Sequence, residues 1–148
     1  HGVFSEAELR CRADIAAENY GKTIRIEANT LSEMVRRDII PAVSSTTSKL
    51  LKTAGRKKEI LGDKNSPEKD LAIELSNCSK ELLRLVIKLE TEVVNALKDG
   101  DNYDKAVYFH DNVLTVMEEI RKVTDVAETR VPRELWPYPS YGDLLFKN

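Results

Sequence analysis

The sequence predicts an all-α protein: an up-down-up bundle of three long helices with an irregular C-terminal arm packed against it. Three blocks of apolar residues recur in steps of three and four, which places them on one face of a helix. The connections between the blocks are short, so consecutive helices are expected to lie antiparallel. The predicted helices cover about residues 6–54, 67–98 and 102–130, and the arm covers residues 132–148.

The first helix begins with a capping box, in which Ser5 precedes Glu8 by three residues. Apolar or small side chains then repeat at helical spacing and predict one long helix with a single buried face. The residues of this face are Leu9, Ala13, Ala16, Tyr20, Ile24, Ala28, Leu31, Val35, Ile39 and Val43.

Pro41 lies inside this block and lacks the N–H that would bond to the carbonyl of Arg37. We therefore expect a kink near Pro41 rather than a stop, because the apolar pattern resumes after it. The helix is expected to end near Ala54, and residues 55–65 form the first connection. A second capping pattern at residues 30–33 leaves open a division of the block, which would make four helices.

Ser66 and Pro67 start the second helix as N-cap and first helical residue. Its stripe is the clearest in the chain and consists of Leu71, Leu75, Cys78, Leu82, Leu85 and Leu89, continued by Val93 and Leu97. Four further residues widen the stripe and predict a central helix with two neighbours, namely Leu83, Val86, Ile87 and Val94. Gly100 is expected to terminate this helix as its C-cap.

Asp101 and Asp104 are expected to cap the third helix, and Val131 followed by Pro132 to end it. Its predicted buried face comprises Tyr103, Val107, His110, Val113, Leu114, Met117, Ile120 and Val123. His110 on this face is expected to be a hydrogen-bonded structural imidazole. A metal ligand or a catalytic base is the alternative, although the helices contain no second histidine that could bind the same metal.

The arm is rich in aromatic and aliphatic side chains, whose exposure to water is unfavourable. It is therefore expected to dock on a protein surface rather than to be solvated. Pro137 and Pro139 restrict its backbone and remove two donors, which favours a stiff, irregular segment. It holds four of the chain's nine aromatic residues. With Trp136 as anchor, the predicted docking surface consists of Trp136, Tyr138, Tyr141, Leu145 and Phe146.

Charge and composition exclude several classes of protein. Basic and acidic residues number 23 and 25 and are interspersed, which argues against a general binder of nucleic acid or of anionic membranes. No apolar run approaches the ~20 residues of a membrane helix, and no signal-peptide pattern opens the chain. Cys11 and Cys78 are far apart, so we expect reduced, partly buried thiols and a cytoplasmic protein, with a disulfide or functional thiol as the alternative.

No stretch of the chain carries a recognised catalytic motif. A phosphate-binding Walker loop, a glycine-rich dinucleotide turn, a nucleophile elbow and a Cys-x-x-Cys pair are all missing from the sequence. The neighbouring carboxylates Glu118 and Glu119, and the alternating Glu90 and Glu92, are expected on solvated helix faces. We therefore assign no catalytic, cofactor-binding or metal-binding residue to this chain.

Two polar clusters have a structural and a functional interpretation. Residues 44–48, Ser-Ser-Thr-Thr-Ser, are expected to allow close helix packing or local fraying, with a phosphate-binding or modification site as the alternative. The positive charges of the basic cluster are expected to interact favourably with the helix dipole near the C-terminus of the helix. A binding site for an acidic partner is the alternative. The basic cluster consists of Lys49, Lys52, Arg56, Lys57 and Lys58.

Residues 136–146, Trp-Pro-Tyr-Pro-Ser-Tyr-Gly-Asp-Leu-Leu-Phe, resemble the C-terminal signature of type III glutamine synthetases, a large bacterial class of that enzyme. Residues 3–9, 18–24 and 38–42 resemble the long helix that begins the C-terminal region of this family. The resemblance covers both ends of the chain and is weak between about Thr46 and Lys122. Family members usually carry Thr where Ser140 stands.

The resemblance implies a parent enzyme that joins ammonia to glutamate with ATP and a divalent metal, Mg or Mn, through a γ-glutamyl phosphate. It also implies ring-shaped homo-oligomers, so the expected partners are the parent's own catalytic domain and neighbouring subunits. In this family the residues that hold nucleotide, metal and glutamate lie upstream of the matching region. No catalytic residue is therefore carried over.

The resemblance thus favours a C-terminal structural domain that serves subunit packing, assembly or regulation. The first residue is His1 rather than Met, which agrees with a piece excised from a longer chain. An independent helical module that binds a partner helix is the alternative of a different class. An autonomous enzyme is the least favoured interpretation.

Overall fold

A computed structural model describes residues 3–139. The helices are α1 (Glu6–Met34), α2 (Ile40–Leu61), α3 (Pro67–Ala96), α4 (Asn102–Tyr108) and α5 (Leu114–Glu128). Two π-helical turns, Val35–Ile39 and Phe109–Val113, join α1 to α2 and α4 to α5 without a break. Three continuous helical runs therefore pack together, and no strand occurs within residues 3–139. The predicted all-α class is confirmed.

The first helical run begins and ends with well-formed caps. The Ser5 Oγ accepts from the Glu8 N–H at 3.2 Å, and the Ser5 N–H donates to the Glu8 carboxylate at 2.7 Å. The run continues through Gly55 and stops at Gly62, whose φ of 68° is the left-handed conformation that glycine adopts readily. The predicted end near Ala54 is therefore wrong, because one glycine in a helix costs only about 1 kcal/mol.

The division of this run at residues 30–33 is also wrong. The Thr30 hydroxyl donates to the Ile26 carbonyl inside an unbroken helix. The irregularity lies instead just before Pro41, where the Ile40 N–H reaches back five residues to the Val35 carbonyl. A π turn is one of the usual places where a long helix changes course, and it sits where Pro41 removes a donor.

The ends of α3 differ from the prediction in one respect. Ser66 is buried in extended conformation before Pro67, and its carbonyl accepts from the Lys69 N–H at 3.1 Å. The helix ends with Leu97 as a right-handed C-cap, so Gly100 is not the cap. Gly100 lies in the turn before Asp101. Its φ of 141° is a backbone conformation that few other residues tolerate.

The core is built around α3, which packs against both other runs. Its inner face is buried and consists of Leu75, Leu82, Leu85, Val86, Leu89, Val93 and Ala96, with Ala72 one turn earlier. Leu83, Ile87 and Val94 were expected to widen this face, yet they are 43%, 52% and 61% exposed. That part of the prediction is wrong, because both neighbours lie on the same side of α3.

The second π turn changes which residues of the third run are buried. Tyr103, Val107 and His110 were predicted to face the core, but all three are exposed. Phe109 takes that place and is only 2% exposed. A π turn adds one residue to a helical turn and so rotates the helix before it by about 100°. After the turn the prediction holds, as the buried Met117 illustrates.

The first turns of α1 extend beyond the bundle. Every residue from 3 to 16 is exposed, including Leu9, Ala13 and Ala16, which were predicted to be buried. From Ile24 onward the expected face is inside the core. No helix in the described part of the chain is long and apolar enough to cross a membrane.

Two of the four carboxylates expected on solvated faces form hydrogen bonds with neighbouring helical runs instead, and a third, Glu119, lies 3.9 Å from Lys88 of α3. Glu90 accepts both guanidinium contacts of Arg36 at 2.9 Å, and this bidentate pair joins α3 to the first π turn. Glu92 accepts a hydrogen bond from the Tyr108 hydroxyl, which joins α3 to α4. The Arg36–Glu90 pair is exposed and therefore contributes little to stability by itself.

Candidate docking site

The arm leaves the bundle at a buried residue. Val131 is buried, and its N–H donates to the Ala127 carbonyl at 3.0 Å, which closes the last turn of α5. Pro132 then has no N–H and adopts an extended conformation, so the helix cannot continue. A short 3₁₀ turn, Arg133–Leu135, follows, and the Leu135 N–H bonds to the Pro132 carbonyl at 2.9 Å.

Three side chains of the arm lie on the bundle. Leu135, Trp136 and Tyr138 are half-buried and pack against the hydrophobic core. The Tyr138 hydroxyl donates to the Asp38 carboxylate at 2.6 Å, and Asp38 belongs to the first π turn. Apolar contact and a hydrogen bond to a charged acceptor together hold this part of the arm.

The arm lies where two helices of the bundle make few contacts with each other. α1 packs closely on α4, whereas α2 and α5 make few contacts. The arm starts at the end of α5 and reaches Asp38, next to the start of α2. It therefore adds a contact between the third helical run and the first at a place where α2 and α5 contribute few contacts of their own.

Trp136 and Tyr138 are thus brought together beside the core, in a place that sequence reasoning could not specify. Tyr141, Leu145 and Phe146, the other predicted docking residues, lie outside the described residues. The use of these five residues as an interface with another domain or subunit stays a prediction. Asp38 was missed, because nothing in its local sequence distinguishes it from other helical carboxylates.

The phenol of Tyr138 provides a pH test of the arm's contact. Burial, followed by the hydrogen bond to Asp38, raises the pKa of Tyr138 to about 12. Since the folded-state pKa exceeds the unfolded value of about 10, the protonated phenol stabilises the folded chain below about pH 10. That contribution is lost as the pH rises from about 10 through 12.

We expect Tyr138→Phe to remove a transition at about pH 12 from the phenolate absorbance titration. Its destabilisation relative to the parent chain should shrink as the pH rises through that window. Tyr103→Phe is the matched control, because Tyr103 is exposed and has no partner at its hydroxyl within residues 3–139. If the loss of absorbance in Tyr138→Phe were centred near pH 10 instead, the contact with Asp38 would be absent in solution.

His110 does not occupy the core position predicted for it. The ring is exposed, with Nδ1 3.0 Å from the Asp111 carboxylate and its centroid 6.5 Å from that of Tyr20. Within residues 3–139 no group of three or more His, Cys, Asp or Glu side chains is close enough to hold a metal ion. The position of His110 is a consequence of the second π turn.

The thiols and the serine-threonine run have ordinary packing surroundings. Cys11 is exposed and Cys78 half-buried, both are free, and burial raises the pKa of the Cys78 thiol. The Thr46 hydroxyl is buried and donates to the Ala42 carbonyl at 3.0 Å. In the basic cluster, Lys57 binds Glu68 at 2.8 Å and so connects the end of α2 to the start of α3.

A second apolar surface lies away from the arm. Leu83, Ile87 and Val94 follow one another at helical spacing, and we call them the outer face of α3. The protruding start of α1 adds exposed Leu9 and Ile15, among others. Sequence reasoning assigned the outer face to contacts inside the bundle, since its spacing alone cannot distinguish an internal neighbour from an external one.

The fold and these surfaces define a helical-bundle domain with a docked arm and exposed apolar faces. Residues 1–58 match the family model described as the glutamine synthetase C-terminal domain. The chain is 34% identical over 147 residues to a glutamine synthetase of Butyrivibrio fibrisolvens, covering 99% of this chain and 21% of that protein. A glutamine synthetase of Bacteroides fragilis is 29% identical over 150 residues, covering 97% of this chain and 20% of that protein.

A type-3 glutamine synthetase of Dictyostelium discoideum is 26% identical over 150 residues, covering 97% of this chain and 20% of that protein. The chain is therefore a homologue of the C-terminal domain of glutamine synthetases, type III enzymes among them. This confirms the resemblance noted in the sequence. The chain spans about a fifth of the length of these relatives.

Proposed function

We propose that the chain serves as the C-terminal structural domain of a bacterial type III glutamine synthetase. In this proposal the whole enzyme joins ammonia to glutamate with ATP, and the domain acts in subunit packing and assembly. The alignment carries the proposal, because nearly all of this chain matches only about a fifth of each relative. The ATP and the Mg or Mn ion would be held by other parts of the enzyme, in the cytoplasm.

The proposed partners are the enzyme's own catalytic domain and neighbouring subunits of a ring-shaped homo-oligomer. The outer face of α3 supports this, since Leu83 and Ile87 expose large apolar side chains one turn apart and Val94 exposes another two turns further on. Exposed apolar surface of this kind is typical of interaction sites, and permanent subunit interfaces are more hydrophobic than transient ones. The start of α1 protrudes from the bundle and offers a second apolar surface of the same type.

The arm has a different part in this proposal. Trp136 and Tyr138 lie on the domain's own core and would shape the face on which a partner rests. Tyr141, Leu145 and Phe146 would extend that face. Truncation before Leu135 should then weaken assembly, although it also removes core contacts, so a substitution on an exposed surface is the cleaner test.

We expect Ile87→Asp in the full-length enzyme to weaken the oligomer, because it places a charge where an apolar contact is proposed. Asn77→Asp is the matched control, since it adds the same side chain to an exposed polar position on the same helix. Sedimentation velocity measures the assembly, and circular dichroism verifies that both variants fold. An unchanged oligomer in Ile87→Asp would remove the outer face of α3 from the interface.

The encoding reading frame separates this proposal from an independent interaction module. A glutamine synthetase catalytic region is expected upstream of His1 in the same frame. A frame without one would favour the module, whose exposed apolar faces would bind a partner helix instead.

A further inference from the structure

A small pocket lies between α1 and α4, beside the end of α3, far from the arm. Its volume is about 170 Å³, and it is partly open to solvent. Phe109, Gly21 and Leu97 contribute apolar surface, whereas Arg25 and Lys105 contribute positive charge. No element of the proposed assembly function uses these residues.

The apolar part of the pocket depends on Gly21. Phe109 is almost fully buried, and its ring edge would lie 3.3 Å from a Cβ placed on Gly21, which is closer than ordinary van der Waals contact. A glycine at this position therefore lets the aromatic ring reach the pocket. Leu97, which is not fully buried, supplies another apolar wall.

The charged part of the pocket has an excess of cations. Glu18 is paired with Lys22 at 2.8 Å, so its charge is compensated. The side chains of Arg25 and Lys105 have no ion-pair or hydrogen-bond partner among residues 3–139. Three cations and one carboxylate line the pocket, which leaves an excess of two positive charges.

We propose that this pocket binds a small carboxylate with an apolar body, such as an aromatic acid. The ring would rest against Phe109 and Leu97, and the carboxylate would lie between Arg25 and Lys105. The volume suits such a molecule, because a cavity of about 150 Å³ accommodates benzene. Binding needs both the ring and the carboxylate of the ligand. An exposed ion pair alone is weak, and the apolar surface alone does not distinguish a charged ligand from a neutral one.

The test is a titration of the 148-residue chain with benzoate, followed by the NMR shifts of the Gly21 amide and the Phe109 ring. Benzyl alcohol retains the ring without the charge, and acetate retains the charge without the ring. Each should bind about tenfold more weakly than benzoate. Arg25→Gln with Lys105→Gln should weaken benzoate about tenfold and leave benzyl alcohol unchanged.

Lys80→Gln is the matched control, because it removes an exposed cation on α3 outside the pocket. Melting curves verify that each variant folds, and Gly21→Ala should weaken benzoate by narrowing the apolar part. The proposal is overturned if benzoate gives no saturable shifts at Gly21 and Phe109. It is equally overturned if benzyl alcohol binds as tightly as benzoate, or if Lys80→Gln has the same effect as the double variant.

Discussion

Leu82→Asp should unfold the chain or lower its thermal midpoint by more than about 10 °C. Leu82 is 0% exposed, at the middle of the inner face of α3. An aspartate there must either bury an unpaired charge or take up a proton, and both cost folding free energy. The cavity left by the smaller side chain destabilises the fold further. Several kcal/mol is a large part of a total stability that is usually ~5–15 kcal/mol.

Leu83→Asp is the control, since the same substitution one residue later falls on the outer face of α3. Leu83 is 43% exposed, so the carboxylate remains solvated and the midpoint should change by only a few degrees. Thermal melts followed by circular dichroism compare the two variants directly. Equal midpoints for the two would contradict the burial of Leu82, and a lower midpoint for Leu83→Asp would mean that the inner and outer faces of α3 are exchanged.

Phe109→Ala should also be strongly destabilising, by about 3–5 kcal/mol, because it empties the space of a buried aromatic side chain. Phe109 lies at the start of the second π turn and fills the place between α1 and α4. For a chain of this length the thermal midpoint should fall by roughly 6–20 °C.

Tyr103→Ala provides the comparison, because the α-helical period alone places Tyr103 in the core and Phe109 outside it. In the structure Tyr103 is 69% exposed, so its truncation should change stability by less than about 0.5 kcal/mol. Urea unfolding measures both free energies. A larger loss for Tyr103→Ala than for Phe109→Ala would show that the third helical run has no π turn in solution.

Local signals predicted much of the fold correctly. Ser5 with Glu8 and Asp101 with Asp104 form the caps that their spacing indicates, since these contacts involve residues three apart. Pro67 begins α3 for the same reason: its fixed φ suits the first helical position.

Other features depended on contacts between distant residues. The arm meets Asp38 across a hundred residues of chain, and Arg36 meets Glu90 across fifty-four. No periodicity encodes such a pair, because many carboxylates along the helices are locally equivalent. The partial burial of Trp136 and Tyr138 likewise depends on how the helices pack, because both side chains lie against residues of the core.

The sequence by itself determined the class of fold, the antiparallel order of the helices and the family, because caps, apolar spacing and a specific aromatic segment are local properties. Only the tertiary structure decided which face of each helix is buried. A π turn rotates every residue before it, so Phe109 replaced His110 inside the core. Helix packing likewise chose one side of α3 and left Ile87 on the surface, since an apolar stripe specifies a contact but not its partner.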